Sequence, residues 1–259
     1  ASISSSHSSH RRRDGDGDGD AEACALVGCT HKWRGVAQRK STVARLRAYE
    51  VTVCATVEPT ALATCMDAAL VLVLVSLPIS IIHQIYFLQT GPFFSSLGVL
   101  DSQIGPAMTI GQFSEILIMA GLGWMLARFG FRTVISIGAA AYFVRYMIWS
   151  MPELPVSVII GSQFLHGICY ACFFAAAFIY VDRIASADIR HSAQTVFGIL
   201  ILGGGPVLGG MLSGYLQALY TTAGVVDFGA LWRVVALIGL AAAVVFAMMF
   251  RPAVAGRET

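Results

Sequence analysis

The sequence predicts an all-α membrane protein with six transmembrane helices, and three observations support this. Hydrophobic residues make up 56% of the 259 residues and charged residues only 12%, with a mean hydropathy of +0.72. Soluble domains are about 45–50% apolar and about 25% charged, so a lipid bilayer is the solvent that suits this chain. Six apolar segments follow one another after residue 67, and positive charge alternates between the loops that join them.

Residues 1–67 differ from the rest, and we expect them to form a disordered, low-complexity segment. Their Asp-Gly repeat is similar to the start of a calcium loop, but the twelfth position of such a loop is Ala25 instead of Glu. Cys24 and Cys29, with His31 nearby, lack the second Cys pair that a zinc site needs. The sequence therefore predicts neither a metal site nor a cofactor.

The transmembrane domain is predicted over residues 68–251 and is followed by a short tail, 252–259. Each apolar segment is long enough to cross about 30 Å of hydrocarbon. The predicted helices lie near 68–90, 104–127, 131–150, 155–181, 192–219 and 229–250. The predicted breaks are Gly91-Pro92, Arg128 to Arg132, Met151 to Pro155, Asp182 to His191, and Thr221 to Asp227.

Arginines in alternate loops predict the orientation. They are Arg128 and Arg132 in the second loop, Arg183 and Arg190 in the fourth, and Arg251 and Arg257 after the last helix. The first, third and fifth loops contain neither Lys nor Arg. This pattern places both ends and the even loops in the cytoplasm, and it supports the count of six helices.

Two charged residues lie inside the predicted helices. Glu115 is midway along the second and Arg145 is within the third. A charge alone in lipid costs several kcal/mol, so each is expected to face protein or a water-filled cavity. Both are candidate functional residues, and the alternative is a structural ion pair that locks two helices.

Other polar side chains recur at the same depth. Gln112 shares a helical face with Glu115, Gln84 marks the middle of the first helix, and His166 and Tyr170 share a face of the fourth. The structural alternative for such residues is hydrogen bonding between helices. Together they suit a neutral solute with many hydroxyl groups, because amides and carboxylates hydrogen-bond it and aromatic faces stack on its rings.

Glycines in the fifth helix indicate close helix packing. Gly205, Gly209 and their neighbours up to Gly214 recur near every fourth position, which lets helices approach each other. Pro206 adds a point at which the helix can bend. No nucleotide-binding glycine loop, Gly-x-Ser-x-Gly turn or His-Glu-x-x-His helix is present, so the sequence does not predict an enzyme.

The stretch from Gly123 to Arg132 resembles the signature of the major facilitator superfamily, Gly-x-x-x-Asp-Arg-x-Gly-Arg-Arg/Lys. Ala127 replaces the Asp and Phe131 an Arg, as is common in the second half of that fold. The signature occupies a cytoplasmic loop between the second and third helix of each half, in agreement with the orientation above. The resemblance implies the C-terminal six-helix half of the superfamily fold.

Within that superfamily the chain resembles the nucleoside:proton symporter group. The stretches that carry this likeness are Gly111 to Glu115, Arg145, His166 to Tyr170, and Tyr180 to Arg183. The resemblance implies proton-coupled transport of nucleosides across the cytoplasmic (inner) membrane. The implied partners are a nucleoside or another small polar solute, protons and the lipid bilayer, without nucleic acid.

The resemblance also implies roles for single residues. Gln112 and Glu115 match the Gln and Glu that hold the nucleoside, and Gln84 matches a ligand-binding Gln. Tyr170 matches an aromatic residue that stacks on the ligand, and His166 stands where bacterial relatives carry Tyr. These five residues are the predicted solute-binding set.

Proton coupling is predicted to use a different residue from the one in the family. Ala171 stands where relatives carry an Asp that takes part in coupling, and Glu115, His166 and Arg145 are the candidates that replace it. The lactose permeases, which resemble this chain in a Glu, an Arg and a His on successive helices, make a sugar:proton symporter the alternative function.

A further alternative is that the chain is a truncated membrane fragment that does not transport. Six helices provide half of a transport pathway. A second six-helix half, or a homodimer formed through the face from Gly205 to Gly214, is the partner that this expectation requires.

Overall fold

The computed structural model describes residues 59–185 and 188–252, with side chains from residue 66. Most of the segment 1–67 therefore lies outside the described residues, as do Cys24, Cys29 and the tail beyond residue 252. Residues 59–67, which the sequence analysis assigned to the disordered segment, form the start of the first helix.

Five helices in the described ranges are long and apolar enough to cross a membrane. They are α1 (Pro59–Ser96), α2 (Asp101–Trp149), α3 (Val156–Ile184), α4 (Arg190–Leu219) and α5 (Phe228–Met249). Within α3, a 3-10 turn spans Ser162–Phe164 and a π-helical stretch spans Ile168–Ala175, and α4 has a π-helical stretch at Ile199–Gly204. A hairpin of β1 (Thr221–Thr222) and β2 (Val225–Val226) joins α4 to α5.

Helix α2 contains two of the six predicted spans. Its 49 residues would extend roughly 74 Å at 1.5 Å per residue, more than twice the thickness of the hydrocarbon core. Gly130 interrupts the helical geometry with φ 74° and ψ 166°, a conformation that glycine adopts far more easily than other residues. The chain therefore turns where the sequence predicted the second loop, and the count of six spans agrees with the structure.

Helix α1 continues through Gly91-Pro92, where the sequence analysis predicted a break. That prediction was wrong because the turn after Pro92 has strong packing partners. Phe93 and Phe94 are fully buried, and their rings lie 5.4 and 5.5 Å from the ring of Trp149. Burial of two aromatic side chains outweighs the hydrogen bond that proline removes.

The loop before α5 is a tight hairpin that the sequence analysis did not predict. Ala223 and Gly224 have positive φ values of 51° and 83°, as hairpin turns of this length require. Asp227 then caps α5, because its carboxylate accepts a hydrogen bond of 2.9 Å from the N–H of Ala230. The predicted break at Met151 to Pro155 falls between α2 and α3, and the predicted break at Asp182 to His191 includes the end of α3 at Ile184 and the start of α4 at Arg190.

The helices pack in two groups that share α5. Helix α2 lies along α3 and α5, and α1 lies along α4 and α5. Fully buried aromatic rings join the groups, among them Tyr146 stacked on Trp232 at 5.3 Å and 15°. This aromatic cluster fixes α1, α2 and α5 against one another at one end of the bundle.

Candidate functional site

Arg145 lies in the second half of α2 and is fully buried. Its Nη1 lies 3.0 Å from Nδ1 of His166, and its Nη2 donates a hydrogen bond to Oε1 of Gln163. The ring centroids of Tyr86 and Trp149 lie 4.0 and 4.8 Å from Arg145 Cζ, which is within cation–π range. Among the described residues, no carboxylate forms an ion pair with this guanidinium.

His166 stands between Arg145 and Glu115. The imidazole is buried, and its Nε2 lies 4.0 Å from Oε2 of Glu115. The side chain of Glu115 is 22% exposed, so the three groups run from the interior of the bundle to its surface. We call Arg145, His166 and Glu115 the polar row. The two intramembrane charges are thus connected through an imidazole, without a direct ion pair.

Helices α2 and α3 approach each other closely beside the polar row because glycines face the contact. The N–H of Gly167 donates to Oγ of Ser114 at 2.9 Å, and a methyl group at Gly167 would overlap the backbone of Ser114 and Glu115. Gly111 gives room to His166, whose Cβ would lie 3.1 Å from a Cβ added there. The π-helical stretch of α3 begins directly after Gly167, and such stretches are frequent at functional sites.

An aromatic group surrounds the inner side of the polar row. The imidazoles of His83 and His166 stack, with centroids 5.4 Å apart and planes 13° apart. His83 Nδ1 also lies 2.9 Å from the hydroxyl oxygen of Tyr142. The rings of Tyr170 and Phe174 lie 5.9 and 5.2 Å from His83. Tyr170 is half-buried and therefore presents part of its ring to a solute.

Two of the predicted site residues lie away from this group. Gln84 follows His83 by one residue, so it points about 100° around α1, towards α4. A Cβ added to Gly209 of α4 would lie 2.7 Å from Gln84 Cβ. Gln112 is exposed and lies almost one turn before Glu115 on the same face of α2. The structure therefore groups His166, Glu115 and Tyr170, with Gln112 at the rim and Gln84 in a helix contact.

Tyr142 and Gln163 belong to the site and were missed in the sequence analysis. Tyr142 precedes Arg145 by three residues, and Gln163 precedes His166 by three. Residues at this spacing share a helix face, so the signal was present. The contacts of these two side chains with His83 and Arg145 join different helices, which spacing within one helix does not reveal.

The groups at the exposed end of the polar row can bind a polar solute through hydrogen bonds. The partly exposed carboxylate of Glu115 accepts hydrogen bonds, and the amide of Gln112 both donates and accepts them. The ring of Tyr170 offers an apolar face next to them. A partly exposed carboxylate can also bind and release a proton.

A protein-family model described as Nucleoside H+ symporter matches residues 50–255, which is most of the chain. The nucleoside permease NupG of Escherichia coli is 28% identical over 162 residues, which cover 61% of this chain and 38% of that protein. The xanthosine permease of the same organism is 25% identical over 147 residues, covering 56% and 35%.

Solved structures of a nucleoside transporter also match this chain. A crystal structure of a point mutant of the nucleoside transporter NupG matches with a TM-score of 0.59 at 25% identity, over 73% of this chain and 49% of that one. Another NupG crystal structure matches with a TM-score of 0.59 and 24% identity, over 75% and 51%. The chain thus spans about half the length of these solved structures and between a third and two fifths of the two permeases.

Proposed function

Because the chain belongs to the nucleoside H+ symporter family, we propose that it forms half of a nucleoside pathway driven by a proton gradient. The resemblance to this group is confirmed, and the chain is a multi-pass membrane protein with a permease fold. The observation that carries the proposal is the partly exposed Glu115, beside the buried His166 and Arg145. In this pathway the solute binds at the exposed end of the polar row, next to Glu115. We call this end the open side.

We assign a role in solute binding to each group at the open side. Glu115 accepts hydrogen bonds from ribose hydroxyls, and Gln112 binds a hydroxyl group or a base edge. Tyr170 stacks on the base, because every base has a flat aromatic face. His166 lies on the buried side of Glu115 and helps to hold that carboxylate in position. Gln84 acts indirectly, through the contact between α1 and α4 described above.

A second six-helix half completes the pathway in this proposal. In transporters of this kind the solute binds at the midplane, between two halves that rock against each other. A homodimer through the glycine face of α4 is less favourable, since Gly205 and Gly209 already pack against Ser80 and Gln84 of α1. Gly210 and Gly214 are the positions of that face which remain open.

We place both termini in the cytoplasm and the protein in the inner membrane. Arg132 donates a hydrogen bond of 2.5 Å to the carbonyl of Ala247 near the end of α5. Arg183, at the end of α3, lies with its Cζ 4.8 Å from the ring of Phe131. These contacts bring one arginine from each of the two even loops to the same end of the bundle, and a cytoplasmic face is rich in such positive charge.

Sugar transport is the second candidate. The order Arg145, His166, Glu115 in the polar row favours it, because the lactose permeases carry the same three residue types on the corresponding helices. The half-buried ring of Tyr170 favours a nucleoside, since a planar base stacks on it more completely than a sugar does.

The experiment that separates these candidates is equilibrium binding of labelled uridine and labelled lactose to the purified chain in lipid nanodiscs. The proposal predicts saturable uridine binding that unlabelled lactose does not displace. Saturable lactose binding without uridine binding would favour the sugar symporter. Binding of neither solute would contradict a solute site in this half of the fold.

Uptake by cells that lack their own nucleoside permeases then separates binding from transport. Cells that express this chain alone are compared with cells that also express the N-terminal half of a nucleoside permease. Uridine uptake only in the second case is the expected result. Uptake by the chain alone at the same rate would contradict the need for a second half.

A further inference from the structure

We propose that Arg145 is a positioning residue that fixes the tautomer of His166 and so assigns proton exchange to Glu115. This inference rests on the proposed function, and it separates the roles of three residues that the sequence analysis named together as candidates for coupling. The role of each residue depends on which nitrogen of the His166 imidazole carries its proton.

A guanidinium group has five N–H donors and no acceptor, and it stays protonated in proteins. Since Nη1 of Arg145 lies 3.0 Å from Nδ1 of His166, the bond forms only if Nδ1 offers a lone pair. A neutral imidazole with a free Nδ1 carries its proton on Nε2. The contact with Arg145 therefore selects the Nε2–H tautomer of His166.

That tautomer directs an N–H group at the carboxylate. Nε2 of His166 lies 4.0 Å from Oε2 of Glu115. This distance is longer than a direct hydrogen bond, and it lets a water molecule or a solute hydroxyl join the two groups. In the opposite tautomer Nε2 would present a lone pair to the carboxylate, which repels it.

Arg145 is held firmly enough to impose this choice. Its second donor group binds Gln163, which lies almost one turn before His166 on α3, so the guanidinium spans two groups of the same helix face. The rings of Tyr86 and Trp149 lie 4.0 and 4.8 Å from Cζ. A guanidinium confined by two acceptors and two aromatic faces has little freedom to withdraw from Nδ1.

A proton added to His166 would have to displace this bond. It would also place a positive charge beside the guanidinium of Arg145 and against the stacked ring of His83, which lies 5.4 Å away. The other titratable groups that face this imidazole are Tyr86 of α1, whose ring is 5.0 Å away, and Glu115 of α2. Of these groups, Glu115 is the one that combines an acidic proton with partial exposure to the open side.

The test is nitrogen-15 NMR of the full chain in lipid nanodiscs with labelled histidine. The chain contains six His, and the difference spectrum with the variant His166→Gln identifies the signals of His166. We expect one tautomer with the proton on Nε2, unchanged between about pH 5 and pH 8, where an ordinary imidazole titrates. A proton on Nδ1, or titration within that range, overturns the proposal in the unmodified protein.

The variant Arg145→Met removes the donor and keeps a side chain of similar length. The proposal predicts loss of the single tautomer: His166 then shows both tautomers or titrates between about pH 5 and pH 8. Arg128→Met, at an exposed position of α2, is the matched control and is expected to leave His166 unchanged. If Arg145→Met folds and the tautomer of His166 is unchanged, the proposal is overturned. If that variant does not fold, the spectrum of the unmodified protein decides the question.

These spectra do not require solute binding. If uridine fails to bind while His166 keeps its fixed tautomer, the proposed function fails and the inference stands. If uridine binds and His166 titrates, the inference fails and the proposed function stands.

Discussion

The contact between α2 and α3 differs from that between α1 and α4, although glycines allow close approach in both. The first contact encloses the polar row, in which a buried guanidinium, an imidazole and a carboxylate follow one another. The second is made by uncharged groups. There Ser80 Oγ donates to the carbonyl of Ile201 at 2.5 Å, and Gln89 Nε2 donates to Ser213 Oγ at 2.8 Å.

The difference indicates that the two contacts have different roles. Hydroxyl and amide groups satisfy each other without changing charge, so the α1–α4 contact gives the same attraction whatever the protonation state of the protein. Groups that gain or lose a proton change the charge between α2 and α3, and ionisable groups inside a membrane are costly enough to mark function. We therefore propose that the α2–α3 contact carries the chemistry and that the α1–α4 contact gives structural support.

The largest effect is expected from Gly167→Ala in the α2–α3 contact. The added methyl group overlaps the backbone of Ser114 and Glu115, so α3 has to move away from the polar row. Overpacking of this kind costs about 1–3 kcal/mol, and here it also displaces Glu115. We expect a lower unfolding temperature in detergent and loss of uridine binding. Gly161→Ala is the matched control, because nothing lies within 4 Å of its added Cβ.

A smaller effect on function is expected from Gly209→Ala in the α1–α4 contact. Its Cβ would lie 2.7 Å from the carbonyl oxygen of Ile81, so the unfolding temperature should fall by a similar mechanism. Uridine affinity should change less than in Gly167→Ala, since no member of the polar row moves directly. Gly210→Ala, which has open space around it, is the control. Equal loss of binding in both variants would contradict the division between the contacts.

The smallest effect is expected from Ser213→Ala. This change removes the 2.8 Å hydrogen bond from Gln89, which keeps a second bond of 3.1 Å to Oε1 of Gln217. A single neutral hydrogen bond contributes about 1 kcal/mol, so the unfolding temperature should fall slightly. The pH dependence of uridine binding should stay the same. A shift in that dependence would show that the α1–α4 contact takes part in the proton chemistry.

Substitution of Tyr170 tests whether α3 contributes to the solute site by stacking on a base. We expect Tyr170→Ala to weaken uridine binding by about 1–3 kcal/mol, the usual contribution of an aromatic ring that stacks on a base. Tyr170→Phe should retain most of the affinity because the ring remains. Tyr215→Ala, an exposed aromatic of α4, serves as the control in the same binding assay.

Much of the fold follows from the sequence because lipid imposes simple rules. The apolar segments and the alternating arginines predicted the all-α membrane fold, which the structure and its similarity to NupG confirm. The break at Gly91-Pro92 was wrong because Phe93 and Phe94 pack on Trp149, a contact between distant segments that local propensity does not contain. The hairpin after α4 was missed for a different reason, namely that its strands are only two residues long.

The sequence identified most residues of the candidate site, but it did not predict how they are arranged. Glu115, Arg145 and His166 were singled out as rare polar groups in apolar helices, and the contacts between them came from the structure. The contact of Gln84 with α4 could not be predicted by spacing alone, because the rotation of α1 depends on its packing against Gly209. Helix rotation is set by tertiary contacts, and a single sequence does not reveal it.

The role of Glu115 is tested by the number of protons exchanged when uridine binds to the chain, measured calorimetrically in buffers of different ionisation enthalpy. We predict that binding is linked to proton exchange in the unmodified chain. The same is expected of Glu153→Gln, which makes the same chemical change at an exposed loop position. Glu115→Gln should still fold and should exchange no protons on binding. Unchanged proton exchange in Glu115→Gln, or none in the unmodified chain, would contradict the role of Glu115 as the coupling residue.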